Sequence, residues 1–497
     1  MTFEPNPNWS EFYSQGSEIQ QYYEKVVHKH GVDKHIQFET QITKAAWSPG
    51  DQKWLIDVFS LTTGLKSTVK ADFFISAVGR LNEGVLPDID GLNTFDGHVR
   101  HSTNWDHTYD YTGKKVAVIG SGASGMQIIP NLLPQVERLD HYTRSKNWVS
   151  PFFRSGLLTA AADNPGGYAY TEQERKYWSE NPEAYLEYRK SLDINFYGSI
   201  KGGILNSPEN ATLRKQLEQV LLERTRGDQE LIQKLTPDYA PGCKRLTPAP
   251  GYIEALQDPK LDFVTGGILK ATPTGLVGND GILREVDAIV AATGFSGDYK
   301  SRFPIIGVDG INIQDQWGPD GPVGLPDSYL GIMAPGFPNY FFILQVQGTA
   351  LGGVVPLQCE ISATYIAKCI RKIQSQSYTS LYPTVEATEE FNAVVDGFSE
   401  GKVTTDSCNS WWKAGPGKSR MLVSWPGSGY HRFDILREPR WEDFVFKKMG
   451  QSEKNRFDFF GNGFTKREER ADPDDLTKYL KPAGEVNLRT LHESWTD

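Results

Sequence analysis

The segment KKVAVIGSGASG, residues 114–125, leaves few folds open to this chain. Its apolar run, ending at Ile119, reads as a buried β-strand, and Gly120, Gly122 and Gly125 follow at the GxGxxG spacing. Glycines at those places permit a tight turn and let a pyrophosphate approach the backbone, while a helix starting near Ala123 aims free N–H groups at the negative charge. Ser121, Ala123 and Ser124 complete the loop. A strand before it and a helix after it make this a dinucleotide-binding unit rather than a chance cluster of glycines. The next strand, expected at Arg138–Tyr142, decides which dinucleotide is held. NAD-binding units place an acidic residue at its end for the ribose hydroxyls. Here the sequence is YTRSK, with Arg144, Ser145 and Lys146. Cations there suit a 2′-phosphate, so the loop reads as an NADPH site; the plainer alternative is a basic loop facing solvent.

The chain's 497 residues suggest two or three subdomains. A net charge of −10 without a dominant Lys/Arg run argues against nucleic acid or an anionic membrane as partner. No apolar run approaches the roughly 20 residues that span a bilayer. The N-terminus, MTFEPNPNWSEFYSQG, lacks the basic and apolar regions of a signal peptide, and a cytoplasmic location is expected. Cys243, Cys359, Cys369 and Cys408 show no CxxC spacing. They read as four unrelated thiols in a reducing compartment, not as a disulfide framework or zinc site.

Along the chain, residues 17–30 predict an amphipathic helix with Ser17 as N-cap, ended by Gly31. The runs HIQFETQITKAAW, KWLIDVFSL and KADFFISAVG predict a small meander of strands. Polar helical sequence dominates 150–235 and reads as a lid inserted, at about 150–250, into the α/β pattern, which resumes at KLDFV and EVDAIVAATGF. The last third mixes a strand (NYFFILQV), a helix (LQCEISATYIAKCIRKIQS) and aromatic loops. The GPGKS segment at 415–419 lacks a preceding apolar strand and reads as a turn.

Just upstream of the Gly loop, FDGHVRHSTNWD matches the pattern FxGxxxHxxxW(P/D) through Phe95, Gly97, His101, Trp105 and Asp106. This fingerprint resembles that of type I Baeyer–Villiger monooxygenases, within the flavin-containing monooxygenases. PGCKRL, AATGF, GFPNYFFI and LREPRWEDF look like further family landmarks in family order, the last resembling fungal members from secondary metabolism. The resemblance implies an α/β fold with two dinucleotide-binding-type domains. Residues 105–295 would be a complete NADP domain carrying the insertion, and 1–104 and 296–497 two pieces of an FAD-type domain truncated at its N-terminal side. It also implies NADPH and FAD as cofactors and insertion of oxygen beside a ketone of a bulky small molecule. By the same likeness, Arg245 would steady the reactive oxygen anion and the nicotinamide, Lys244 would meet the 2′-phosphate, and Trp411 would close over NADP. His101 would sit at a hinge and orient backbone.

Two departures stand against the pattern. Only one Gly loop is present in the sequence, so the loop that holds the FAD pyrophosphate in relatives has no counterpart. Where relatives carry a Gly-Pro-Gly loop beside the flavin, this chain has LQVQGTALGG, in which Gln345 and Gln347 would intrude. A sheet lacking that βαβ unit should expose apolar edges. Two other readings therefore stay open: a flavin-free enzyme performing isomerisation, cyclisation or hydrolysis in the same pocket, and a non-catalytic NADP-binding protein.

Overall fold

The computed structural model describes residues 1–150, 168–197, 200–296, 299, 301–322, 324–351, 354–413, 420–449, 455–478, 480–482, 484 and 485. The GPGKS segment lies outside them. The first helix, α1, spans Gly16–Lys29. Ser17 does not cap it: Gly16 already has helical geometry, and Gln15 holds the cap position without a side-chain bond. Glu18, an acid in the first turn, instead accepts the Ser10 N–H at 2.8 Å and its hydroxyl at 2.6 Å.

Strands β1 (Thr40–Ser48), β2 (Lys53–Ser60) and β3 (Lys66–Ala71) form the antiparallel meander, and Ile305–Ile306 joins β1 in parallel. Trp47 and Trp54 face each other across β1 and β2 with ring centroids 5.8 Å apart. The buried Trp54 indole keeps its N–H satisfied by donating to the Pro338 carbonyl at 2.7 Å.

Strand β4 (Phe74–Ser76) pairs in parallel with Tyr340–Phe342 and, among the described residues, with no other strand. Ile75, on β4, and Val78, just after it, are 42% and 58% exposed.

A five-stranded parallel sheet carries the Gly loop. Its order is Leu261–Thr265, β7 (Arg138–Thr143), β6 (Lys115–Ile119), Ala288–Ala291, β5 (His98–His101). Val116, Ala117, Val118 and Ile119 are all buried, as expected for a strand covered on both faces. Strand β5 lies before residue 105, so the sheet reaches back across the boundary expected there. Its sequence, HVRH, has no apolar run because an edge strand is only half covered.

Helix α2 (Ala123–Leu132) leaves the Gly loop. Helices Glu172–Glu180, Pro182–Tyr197, Pro208–Arg224 and Gln229–Leu235 fill the stretch read as inserted. Leu217, Leu221, Leu231 and Leu235 pack into one core with Met126, Ile129 and Trp148, which ties the inserted helices to α2 and the sheet. Among the described residues no helix is long and apolar enough to cross a membrane.

Candidate active site

Each glycine of the loop meets a different constraint. Gly120 has φ +114°, and a Cβ there would lie 2.3 Å from the Ala292 carbonyl oxygen. At Gly125 a Cβ would meet the Gly120 carbonyl oxygen at 2.0 Å, so this glycine lets the helix press on the turn. Around Gly122 a Cβ would find nothing within 4 Å, which leaves the approach to the loop open. Gly122 caps α2 without a side-chain bond, so the first-turn N–H groups remain available to an anion. The Ser121 hydroxyl is pinned by Thr143 (2.7 Å), the Ser145 carbonyl (3.0 Å) and the Asn147 amide (3.0 Å).

The loop opens into a cavity of about 840 Å³. Gly120, Ser121, Gly122, Ala123, Ser124, Arg144, Ser145, Lys244, Arg245 and Trp411 all line it, as do Gly79, Arg80, Tyr299, Tyr340 and Gln345 from the β4 side. Lys244 donates to the Ser145 hydroxyl at 3.1 Å. Burial, and then the neighbouring Arg144 charge, hold its ammonium below the usual lysine range. Two cations set this close beside a helix N-terminus favour a multiply charged anion between them.

Lys146 corrects the sequence reading. Its ammonium turns from the cavity and donates to the Gln233 carbonyl at 2.7 Å, in the last turn of helix Gln229–Leu235, where carbonyls attract a cation. The fingerprint residues Phe95, Gly97, His101, Trp105 and Asp106 also lie outside the cavity lining. They build joints. Gly97 leaves room for the Asp287 carbonyl, and Trp105 stacks on Tyr111 at 5.2 Å. His101 Nδ1 accepts the Thr103 N–H at 3.1 Å and rests where a Cβ on Gly84 would lie, beside the bridge between Gly84 and Phe295. His141 is buried against the Tyr252 hydroxyl at 2.9 Å, and His431 accepts the Trp425 indole N–H at 2.9 Å.

The two glutamines separate. Gln345 lines the cavity and donates to the Gly79 carbonyl at 3.0 Å, whereas Gln347 is buried elsewhere, donating to Asn392 at 2.9 Å.

The cysteines overturn the reading of four separate thiols: Cys243 and Cys408 form a disulfide, and Cys359 and Cys369 are free. Spacing rules see only neighbours, and this pair is 165 residues apart. The bridge ties the segment that carries Lys244 and Arg245 to the one that carries Trp411. Arg80 and Tyr299 also escaped the sequence reading. The signal for the disulfide was its position, one residue before Lys244 and three before Trp411; Arg80 directly follows the glycine after β4.

Residues 3–156 match the family model described as flavin-binding monooxygenase-like. The FAD-binding monooxygenase tazF of Aspergillus terreus is 32% identical over 475 residues, covering 95% of this chain and 82% of that one. A Baeyer-Villiger monooxygenase of Pseudomonas aeruginosa is 31% identical over 432 residues, covering 86% of this chain and 76% of that one. In fold the chain is similar to cyclohexanone monooxygenase from Rhodococcus sp. Phi1 bound to NADP+, with TM-score 0.74 and 24% identity over 89% of this chain and 86% of that one. Oxidized steroid monooxygenase bound to NADP gives TM-score 0.71 and 26% identity, covering 89% of this chain and 87% of that one. With the Gly loop, the fingerprint and this extent of likeness in hand, the chain belongs to the Baeyer–Villiger type of FAD-binding monooxygenases.

Proposed function

We propose that this chain is an FAD- and NADPH-dependent monooxygenase that inserts oxygen beside a ketone carbonyl of a bulky small molecule, of the kind handled in fungal secondary metabolism. The observation that carries the reading is a dinucleotide cradle opening into the same cavity as Arg245. The cradle fits NADPH. The open face of Gly122 and the α2 N-terminus would take the pyrophosphate, and Arg144 with Lys244 the 2′-phosphate. Trp411 would cover the nicotinamide end. FAD meets a partial fit: Gly79, Tyr340 and Gln345 supply a cavity wall, but no second Gly loop stands beside β4 to hold its pyrophosphate.

FAD, when bound, supplies the activation of O2. This chain's own residues then have three tasks. Arg245 holds a fixed positive charge at the cavity, where it favours a developing oxyanion. The Ser121, Thr143, Asn147 network keeps the loop in one shape, so the nucleotide is placed without reorganisation. The aromatic walls, including Tyr340 and Trp411, exclude water from the reacting carbonyl.

The test is the visible spectrum of the purified chain before and after adding FAD and NADPH under air. Flavin absorbance with NADPH consumption is expected. Neither signal would favour the flavin-free reading, and Gln345 closing on Gly79 is the observation on its side. Coenzyme choice gives a second check. Arg144→Ala is expected to lower the preference for NADPH over NADH by about 10-fold, roughly 1.4 kcal/mol, from loss of one charge-assisted contact. Titration of both coenzymes into the variant reads this directly; an unchanged ratio would place the 2′-phosphate elsewhere.

A further inference from the structure

Arg80 is a half-buried cation set apart from the Gly loop. It follows β4 at the SAVGR turn and lines the cavity from that side. Its guanidinium lies 5.0 Å above the Trp411 ring, which covers one face. No carboxylate pairs with it among the described residues. Its polar neighbour is the Tyr299 hydroxyl, close enough to interact with the guanidinium, yet neither Nη1 nor that hydroxyl makes a well-formed hydrogen bond. A largely desolvated cation faced by a neutral hydroxyl and by no carboxylate is costly unless an anion completes it.

The other charges on the wall sharpen the point. Arg144, Lys244, Arg245 and Arg302 are set against Glu83 and Asp88, and Glu83 is taken by Arg302 at 2.6 Å. The cavity is therefore electropositive beyond what Arg144 and Lys244 provide for a nucleotide. Around Tyr299 the wall is aromatic, with Trp317, Tyr340 and Phe303 packed in the same cluster.

We infer that Arg80 and Tyr299 form an anchor for a substrate carboxylate, so that the cavity selects an aromatic or similarly flat keto acid over the neutral ketone. A planar guanidinium edge pairs with a carboxylate through two parallel N–H donors, and the Tyr299 O–H supplies a third. This substrate class rests on the ketone reading of the cavity, but the contact itself needs neither flavin nor oxygen.

Isothermal titration separates the two. The full chain, saturated with NADP+ under nitrogen, is titrated with 4-acetylbenzoate and with methyl 4-acetylbenzoate. The acid is expected to bind about 10-fold tighter than the ester, the size of one charge-assisted pair. Arg80→Gln should erase that preference while leaving the ester's affinity in place, and Tyr299→Phe should reduce it by about 3-fold, the scale of one neutral hydrogen bond. Melting temperatures of both variants check folding, and Tyr299→Phe still reads the contact if Arg80→Gln folds poorly. Equal binding of acid and ester by the unaltered chain would overturn the anchor, whether or not the protein consumes NADPH. So would an Arg80→Gln variant that keeps the acid preference, or one that loses NADP+ affinity instead, which would assign Arg80 to the nucleotide.

Discussion

Replacing Gly120 by alanine is expected to abolish dinucleotide binding and to destabilise the chain, whereas the same change at Gly122 should cost binding alone. At Gly120 two penalties coincide. A φ of +114° is outside the range that L-residues adopt, and the new Cβ would press to 2.3 Å against a backbone oxygen that has no rotamer to escape into. Strain of this type costs on the order of 1–3 kcal/mol by itself, and displacing the Ala292 carbonyl disturbs the adjoining strand Ala288–Ala291 in the sheet's interior. A total near 3 kcal/mol and loss of measurable NADP+ binding are the expected result. Gly122 has φ −76° and ψ −176°, extended backbone open to any residue, and a Cβ there meets nothing. Its alanine variant should melt within about 1 °C of the parent, because nothing in the folded chain is displaced. The methyl group would nonetheless stand where the pyrophosphate must approach, and NADP+ affinity should fall by about 10- to 100-fold, or ~1.4–2.8 kcal/mol. Thermal melts and NADP+ titrations of the two variants form one experiment. Normal NADP+ binding by Gly122→Ala would sink the placement of the pyrophosphate on this loop.

This pair also explains why the loop was legible in sequence. The demands on Gly120, Gly122 and Gly125 are local, set by one turn, one strand and the first turn of one helix, so spacing alone encodes them. The place of Arg144 on the cavity wall was legible for a related reason: the end of the strand after the Gly loop has a fixed place in the unit. Lys146, two residues on, was not. A long side chain chooses among acceptors brought in by the fold, and the Gln233 carbonyl that won is 87 residues away. Edge strand β5 escaped notice because half-covered backbone does not require an apolar run. The fingerprint was readable as a pattern but its place was not, since Gly97 and His101 are chosen for close approaches between segments distant in sequence. Arg80 shows the same limit at the site: a lone arginine after a strand reads as surface charge until the fold sets Trp411 beneath it and Tyr299 on the same wall.

The disulfide is where that limit matters most, and breaking it should have the largest effect on stability. Closing a loop between residues 165 apart removes much chain entropy from the unfolded state, about 5 kcal/mol in the simplest treatment, with native bridges typically giving 2–5 kcal/mol. Both sulfurs sit in the core shared by α2 and the inserted helices, with Cys243 0% and Cys408 3% exposed. Cys408→Ser, or reduction of the parent by dithiothreitol, should therefore lower the urea midpoint, and the two treatments should agree. Cys359→Ser, which touches no bridge, is the control. The functional consequence follows from what the bridge joins. Trp411 is 42% exposed and reaches the cavity from a loop in which Lys413 donates to the carbonyls of Asp406 and Cys408, the latter at 3.1 Å. The Asp406 carboxylate also accepts the Ala240 N–H at 2.6 Å, a single hydrogen bond to the segment that leads to Lys244 and Arg245. With the bridge open, hydrogen bonding and packing alone set the distance of Trp411 from the nucleotide cradle, and NADP+ affinity should drop together with stability. If instead the oxidised and reduced chains unfold at the same urea concentration, no bond joins these cysteines in solution. Packing of the two segments and the Ala240–Asp406 hydrogen bond would then position Trp411 without it.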